Sequence, residues 1–145
     1  MKYTRIRNVK NPTRGTPGSA GIDFYVPEDF NRAIIDPGMA LNIPSGLKVK
    51  IPEGHALVMM NKSGVATKQN LVVGACVVDE DYQGEIHLHV INAGSTRQII
   101  EPGQKLVQGL ILPVAYTTLE EILFEECLHP EKTKRGAGGF GSTGL

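Results

Sequence analysis

Residues 79–85 form an acidic turn that carries the side chains best suited to hydrolytic chemistry. Four of these seven residues are carboxylates, and hydrophobic, strand-like runs flank the turn on both sides. Asp79 directly follows an apolar run, so a rigid strand end would aim its side chain in a fixed direction. A carboxylate placed in this way can orient and deprotonate a water molecule, and it can also hold hydrated Mg²⁺. Tyr82 adds a ring face that can stack against a sugar, whereas a solvated acidic hairpin is the alternative for this segment taken alone.

Two other segments carry the residue types that bind phosphate groups. Lys62, Ser63 and Gly64 place a cation and a hydroxyl before a glycine, and such a turn can present backbone N–H groups and positive charge to a phosphate. Residues 135–144 combine Arg, Gly, Ser and Thr with one aromatic residue, Phe140, which suits stacking on a base. The segment lacks the G-x-x-x-x-G-K-[ST] pattern of a Walker loop. An ordinary surface turn and a disordered tail are the respective alternatives.

The scaffold that must position these side chains is predicted to be a set of short strands. The chain has 145 residues, a common size for one domain, and its 17 glycines and 9 prolines exclude a helical bundle. Glycines recur at ten-residue intervals from position 54 to position 94, with β-favouring runs between them. This pattern is typical of an all-β sandwich or barrel rather than of βαβ units. The predicted strands cover residues 39–43, 55–60, 71–73, 75–78, 86–91 and 106–112.

The end of the chain is predicted to differ from this scaffold. Residues 114–129 form the longest stretch without glycine or proline, and Thr118 precedes Glu121 in the spacing of a capping box. The pattern favours a short helix packed on the barrel, and a strand followed by an irregular connection is the alternative. Residues 135–145 are too rich in glycine to bury a core, so we expect a mobile arm there.

Charge and cysteine content exclude several other classes of protein. Fifteen Lys and Arg balance fifteen Asp and Glu, so a basic surface that follows a nucleic-acid backbone is not expected. Cys76 and Cys127 lie far apart, which is typical neither of a disulfide framework nor of a zinc site and suits a reducing compartment. No segment reaches the roughly 18 apolar residues that span a bilayer, and the charged start does not resemble a signal peptide. We therefore expect a cytoplasmic protein with neither a membrane nor a nucleic-acid partner.

Taken together, five segments resemble, in order, the motifs of the homotrimeric deoxyuridine triphosphatases (dUTPases). They are residues 17–23, 61–66, 74–84, 102–108 and 135–144, and they extend over nearly the whole chain. The third and fifth segments are highly specific, and five matches in the same order outweigh the separate alternatives.

The resemblance implies both an architecture and a reaction. It implies a distorted jelly-roll-like β-barrel over residues 1–134, with a short helix, and a mobile glycine-rich arm over residues 135–145 that closes an active site. It also implies a homotrimer with active sites shared between subunits, dUTP as substrate and Mg²⁺ as cofactor. The implied reaction is hydrolysis of dUTP to dUMP and diphosphate by attack of water on the α-phosphorus. That reaction limits uracil in DNA and supplies dUMP for thymidylate synthesis.

The resemblance further implies a role for each matching residue. Asp79 matches the aspartate that activates water, and Tyr82 matches the tyrosine that packs under deoxyribose and leaves no room for a 2′-hydroxyl. Asp23 would orient waters around Mg²⁺, and Phe140 would stack on uracil. The implied substrate-binding residues are Lys62, Ser63, Gly64 and Gln108 for phosphate; Gly74, Val77, Val78, Tyr82 and His87 for deoxyuridine; and Arg135, Phe140, Gly141, Ser142 and Thr143 in the arm.

The chain also departs from the family pattern. Lys62 stands where the second segment usually has Arg, and Cys76 stands where the third often has Gly. Two alternatives stay open on the sequence alone. One is a dCTP deaminase or bifunctional deaminase–triphosphatase of the same architecture, against which the tail containing Phe140 argues. The other is a non-catalytic nucleotide-binding or structural trimer, against which the intact Asp79 and Tyr82 argue.

Overall fold

Short antiparallel strands separated by turns make up the first of two structural units, Met1–Ala115. The structure is a computed structural model and describes residues 1–129 and 131–139. A helix, α1 (Ser63–Gln69), lies between two of the strands. The strands are β1 (Lys2–Arg5), β2 (Ile22–Tyr25), β3 (Ala33–Ile35), β4 (Ala40–Pro44), β5 (Leu47–Lys50), β6 (His55–Asn61), β7 (Leu71–Val73), β8 (Val77–Val78), β9 (His87–Asn92), β10 (Gln98–Ile100) and β11 (Lys105–Pro113).

The strands pair into antiparallel sheets that contribute to one hydrophobic core. The sheet orders are β2-β11-β6-β8, β4-β9-β7, β1-β5 and β10-β3. In β9, burial alternates along the strand, with Leu88, Val90 and Asn92 buried, as expected when one face of a strand packs inward. Phe24 and Leu106 are among the largest fully buried side chains. This arrangement confirms the all-β fold class.

The four-stranded sheet carries four of the residues singled out from the sequence, namely Asp23, Val77, Val78 and Gln108. β11 lies between β2 and β6, and this register places Gln108 opposite Asp23 on one side and opposite Met60 on the other. β8 pairs with the middle of β6, with Val78 opposite Leu57. The six predicted strands are confirmed as β4, β6, β7, β8, β9 and β11, with shifts at their ends.

The first helix is an element that the sequence did not predict. A turn was expected at residues 62–64, but α1 begins at Ser63 and continues for seven residues. Its sequence includes a glycine and β-branched residues, which are weak helix formers, so intrinsic propensity hides it. The Thr67 hydroxyl donates to the Ser63 carbonyl at 2.8 Å, and Asn70 ends the helix in the left-handed conformation.

The helix predicted over residues 114–129 is mostly absent. β11 ends at Pro113, residues 114–124 are irregular, and α2 (Glu125–Leu128) spans only four residues. Leu119 and Leu123, on the predicted apolar face, are 94% and 79% exposed. A helix of this length is stable only when that face is buried, so the capping-box spacing alone does not produce one. Of the alternative, a strand followed by an irregular connection, only the irregular connection is observed, because no strand lies within residues 114–129.

The second unit, Tyr116–Leu145, contains α2 and a turn stabilised by local hydrogen bonds. The Gly136 N–H donates to the Thr133 hydroxyl at 3.1 Å, and Arg135 Nε donates to the Gly138 carbonyl at 3.0 Å. Among residues 1–129 and 131–139, no helix is long and apolar enough to cross a membrane.

Candidate active site

A cavity of about 190 Å³ lies beside the hairpin that links β8 to β9. Asp79 lines it directly after the last residue of β8, at the strand end that the sequence predicts. The carboxylate of Asp79 is exposed and makes no hydrogen bond or ion pair with any other residue that the structure describes. The cavity is lined by Met59, Ala75, Cys76, Val77, Val78, Asp79, Tyr82, Glu85, Ile86 and His87.

The backbone of residues 74–78, which leads into the hairpin, is hydrogen-bonded to β6 and β9. The Met59 N–H of β6 donates to the Cys76 carbonyl at 2.6 Å. Gly74 does not line the cavity. Its N–H donates to the His89 carbonyl at 3.1 Å. The Ala75 N–H also donates to His89 Nδ1 at 3.1 Å. These bonds hold the segment that leads into β8, an edge strand whose backbone groups facing away from β6 can read a planar ring by hydrogen bonding.

Tyr82 folds back over the hairpin because residue 84 is glycine. A Cβ at Gly84 would overlap the Tyr82 hydroxyl, so a larger residue there would force the ring to shift. The Tyr82 hydroxyl donates to the Glu85 carbonyl at 3.0 Å, and its backbone N–H donates to the Asp79 carbonyl at 3.2 Å. These two bonds hold the Tyr82 ring and the backbone of Asp79 at the cavity that both residues line.

Glu85 is a residue of the cavity wall that sequence reasoning missed. Its carboxylate accepts a hydrogen bond from Arg7 Nε at 2.9 Å and from the Gly46 N–H at 2.8 Å. Burial raises the pKa of Glu85, but the Arg7 and Gly46 donors outweigh burial and hold the pKa below its ordinary value. The sequence shows Glu85 as one of four carboxylates in the acidic turn, and nothing in that pattern distinguishes the one with a distant partner.

A second group of charged side chains gathers around Asp23 on β2. Asp23 is 4% exposed, and its two carboxylate oxygens accept from Lys62 Nζ at 2.9 Å and from Lys105 Nζ at 3.0 Å. Burial alone raises the pKa of Asp23, but the hydrogen bonds and charges of the two lysines together hold it below its ordinary value. Asp23 in turn raises the pKa of Lys105. The trio carries a net charge of about +1 at neutral pH, so it attracts anions.

Gln108 and the start of α1 lie next to this trio. Gln108 is opposite Asp23 in the sheet, and its side-chain amide donates to the Asn61 carbonyl at 2.9 Å. Ser63 and Gly64 follow in the first turn of α1, where backbone N–H groups have no acceptor within the helix. The structure therefore brings together the residues predicted to hold phosphate.

The cavity residues and the Asp23 trio form two groups that are not bonded to each other among residues 1–129 and 131–139 of the single chain. No hydrogen bond or ion pair joins the cavity residues to the Asp23 trio within the described part of the chain. Among the predicted residues of the arm, Arg135 is exposed and bonds within its own turn. Phe140, Gly141, Ser142 and Thr143 lie outside the described residues.

Lys105 is the other functional candidate that the sequence did not reveal. It lies in the fourth matching segment, between the turn at residues 101–104 and the buried part of β11. A β-bulge between residues 105 and 107 shifts the register and brings its side chain to the Asp23 side. A bulge of this kind leaves no clear signal in a single sequence.

Comparisons with known proteins agree with this geometry. A family model described as dUTPase matches residues 7–144. The deoxyuridine 5'-triphosphate nucleotidohydrolase of Desulfitobacterium hafniense (strain DSM 10664 / DCB-2) is 38% identical over 139 residues, which cover 94% of this chain and 88% of the relative. The similarity to this relative therefore extends over nearly all of both chains.

Solved structures show the same fold at lower sequence identity. A variant dUTPase of Staphylococcus bacteriophage 80alpha with dUpNHpp superposes with a TM-score of 0.82 at 22% identity, covering 99% of this chain and 98% of that chain. A variant dUTPase from phage phi11 of S. aureus, with a structural Mg(II) ion, superposes with a TM-score of 0.75 at 21% identity, covering 86% of this chain and 97% of that one. With the match over residues 7–144, these relatives lead to one conclusion: the chain belongs to the dUTPase family.

Proposed function

We propose that this chain hydrolyses dUTP to dUMP and diphosphate by attack of water on the α-phosphorus, with Mg²⁺ bound to the triphosphate. The observation that carries the proposal is that Asp79 and Tyr82 both line one cavity. This activity would limit uracil in DNA and supply dUMP for thymidylate synthesis.

Asp79 is the general base of this proposal. Its carboxylate has no competing ion pair in the described residues, so it is free to accept a proton from water. The adjacent strand fixes its backbone, and this positioning is the larger part of what an enzyme must supply for phosphoryl chemistry.

Tyr82 and the hairpin backbone select the nucleoside. The Tyr82 ring, held by Gly84 and by the Glu85 carbonyl, would lie against the C2′ side of the sugar and exclude a 2′-hydroxyl. The backbone of residues 74–79, with Val77 and Val78, would read the edge of uracil, and His87 would close the pocket. These assignments are supported by the cavity lining, which includes Tyr82, Val77, Val78 and His87.

The Asp23 trio and its neighbours would hold the phosphates. Lys62 supplies a point charge where an arginine would supply a bidentate fork, and Lys105 adds a second cation beside it. Ser63 and Gly64 would donate backbone N–H groups to the same oxygens, and Gln108 would hold a further phosphate oxygen. The net positive charge of the trio supports this assignment.

The residues present fit a Mg²⁺ that arrives with the nucleotide. No group of three His, Cys, Asp or Glu side chains suited to a metal forms within residues 1–129 and 131–139. Each Asp23 oxygen bonds one ammonium group and has a second lone pair with which to accept from a metal-bound water. When bound, the ion would neutralise charge on the triphosphate. The structural Mg(II) of the phage phi11 relative supports the choice of metal.

The dUTPase family match over residues 7–144 supports a homotrimer in which subunits share each site. The cavity of one subunit would face the Asp23 trio of another, because neither group alone can bind both ends of a nucleoside triphosphate. In this proposal residues 1–134 form the barrel domain. Residues 135–145 form an arm that covers the site, with Phe140 on the base and with Arg135, Gly141, Ser142 and Thr143 on the outer phosphates.

Diphosphate release tests the proposal across a panel of nucleotides. We expect rapid release from dUTP, far slower release from UTP, dCTP and dTTP, and loss of activity when EDTA removes Mg²⁺. Ammonia release from dCTP would instead indicate the deaminase alternative. Tight dUTP binding without diphosphate release would indicate the non-catalytic alternative.

A further inference from the structure

Glu85 connects the cavity wall to the N-terminal segment through both its side chain and its backbone. Its carboxylate accepts from Arg7 Nε at 2.9 Å and from the Gly46 N–H at 2.8 Å. Its carbonyl accepts from the Tyr82 hydroxyl at 3.0 Å and from His87 Nδ1 at 3.1 Å. One residue therefore links a distant cation to two side chains of the cavity.

The turn at Gly46 makes this connection rigid. Gly46 has a φ of +75°, and a Cβ on it would lie 2.9 Å from Arg7 Cβ, so only glycine lets the N-terminal segment pack this closely. The Ile6 N–H donates to the Gly46 carbonyl at 2.8 Å, and the Ile86 N–H donates to the Leu47 carbonyl at 2.9 Å. Because the Glu85 carbonyl and the Ile86 N–H belong to one peptide plane, this last bond directs the carbonyl towards the cavity side.

We propose that Arg7 and Glu85 are positioning residues that set the placement of Tyr82 and thereby the discrimination between deoxyribose and ribose. The inference rests on the proposed function of the cavity. Neither residue needs to touch the nucleotide. Arg7 acts on Glu85, and Glu85 acts on the Tyr82 hydroxyl.

The exposure of the hairpin explains why such an anchor matters. Residues 81–83 are exposed, so little packing fixes the Tyr82 ring from outside. Glu80 ties the start of the turn by accepting from the Gly54 N–H at 2.5 Å, and Glu85 ties its end. The Glu85 side chain is 15% exposed, so without Arg7 a largely buried carboxylate would lose its cation and would move towards solvent.

The test compares Arg7→Met with a matched control, Arg32→Met. Arg32 also pairs through Nε with a glutamate at 2.9 Å, but its partner Glu101 is not among the cavity residues. The measurement is the ratio of kcat/KM for dUTP to kcat/KM for UTP. Arg7→Met should lower this ratio by about three- to tenfold, the scale of one weakened polar contact, and Arg32→Met should leave it unchanged. Arg7→Lys, which keeps the charge, should restore part of the ratio.

A double-mutant cycle separates positioning from general destabilisation. Tyr82→Phe removes the hydroxyl that Glu85 holds, so adding Arg7→Met to it should lower the ratio by less than about twofold more. A full additional loss in the Tyr82→Phe background, or an unchanged ratio in Arg7→Met alone, would overturn the inference. If Arg7→Met does not fold, Glu85→Gln takes its place with the same expected direction.

Measurements of nucleotide binding test the positioning role of Arg7 separately from the proposed hydrolysis. Affinities for dUMP and UMP, measured by calorimetry, give the same sugar ratio without any hydrolysis. A parent chain that binds dUMP but releases no diphosphate refutes the proposed function, and the binding ratio in Arg7→Met still decides the positioning role.

Discussion

Lys62 and Lys105 both pair with Asp23, and substituting both should lower the free energy of unfolding by far more than the sum of the two single substitutions. In Lys62→Met or Lys105→Met, the Asp23 carboxylate keeps one ammonium partner within 3.0 Å. In the double variant it keeps none, although its side chain is only 6% exposed. The stability cost therefore arises mainly at the second substitution, whichever lysine is removed first.

The size of the effect follows from the choices open to a buried carboxylate. Leaving one without its partner typically costs about 3–5 kcal/mol. At neutral pH it can instead take up a proton, which costs about 1.4 kcal/mol for each of the roughly three pH units above its ordinary pKa, or about 4 kcal/mol. We therefore expect the double variant to lose about 3–4 kcal/mol near pH 7.

The same reasoning gives the sign of the pH dependence. In the parent the pKa of Asp23 is lowered, so its stabilising contribution is present above the ordinary pKa of about 3.9 and is lost only as the pH falls through the still lower folded value. In the double variant burial without a partner raises the pKa of Asp23, so this protein gains stability as the pH falls. Near pH 5 the protonation cost is about 1.5 kcal/mol, so the difference between the two proteins should narrow to about that value.

Urea unfolding at fixed protein concentration, near pH 7 and near pH 5, measures both effects. Lys48→Met/Lys50→Met is the matched control, because it removes two lysines that are exposed on β5. The control should lose little stability and should show no narrowing with pH. The double variant could instead lose only the sum of the two single losses in free energy of unfolding. Its difference in stability from the parent could also be the same at both pH values. Either result would refute the claim that the buried Asp23 carboxylate depends on both lysines.

Three further predictions concern the proposed catalysis. Asp79→Asn should keep nucleotide affinity, measured by calorimetry, but lower kcat, measured by steady-state kinetics, by about a hundredfold or more. A kcat within a few-fold of the parent would exclude Asp79 as the general base. Gly84→Ala should displace the Tyr82 ring and lower the dUTP-to-UTP ratio of kcat/KM, whereas Gly18→Ala, at a site with open space around it, should leave the ratio unchanged. The same ratio in both variants would contradict the proposed packing of Tyr82 on Gly84. Deleting residues 135–145 should lower kcat while the melting temperature stays within a few degrees, and unchanged kcat excludes a role for the arm.

Much of the fold could be predicted from the sequence, because its signals are local. Glycine spacing and alternating β-favouring runs identify β4, β6, β7, β8, β9 and β11, and the apolar run before Asp79 places that carboxylate at a strand end. The first helix could not be predicted in this way, since residues of low helix propensity form it. The helix expected at residues 114–129 is observed only over Glu125–Leu128, for the opposite reason. Its local pattern is favourable, but the apolar residues before α2 remain exposed.

The candidate site depends on contacts that a single sequence does not encode locally. Asp23 meets Lys62 from 39 positions away, and Arg7 meets Glu85 from 78 positions away. Segment matches identify Asp23 and Lys62 as separate candidates, but their ion pair follows from strand order and register. Lys105 joins them only because a bulge turns its side chain towards Asp23.

Hydrolysis of dUTP in water labelled with the heavy oxygen isotope distinguishes attack on the α-phosphorus from attack on the other two phosphorus atoms. Mass spectrometry of the two products shows which phosphorus atom the water attacked. Attack on the α-phosphorus, with Asp79 as base, predicts one heavy oxygen in dUMP and none in diphosphate, and it predicts loss of this labelling reaction in Asp79→Asn. Heavy oxygen in the diphosphate, or labelled dUMP formed at the parent rate by Asp79→Asn, would contradict the account.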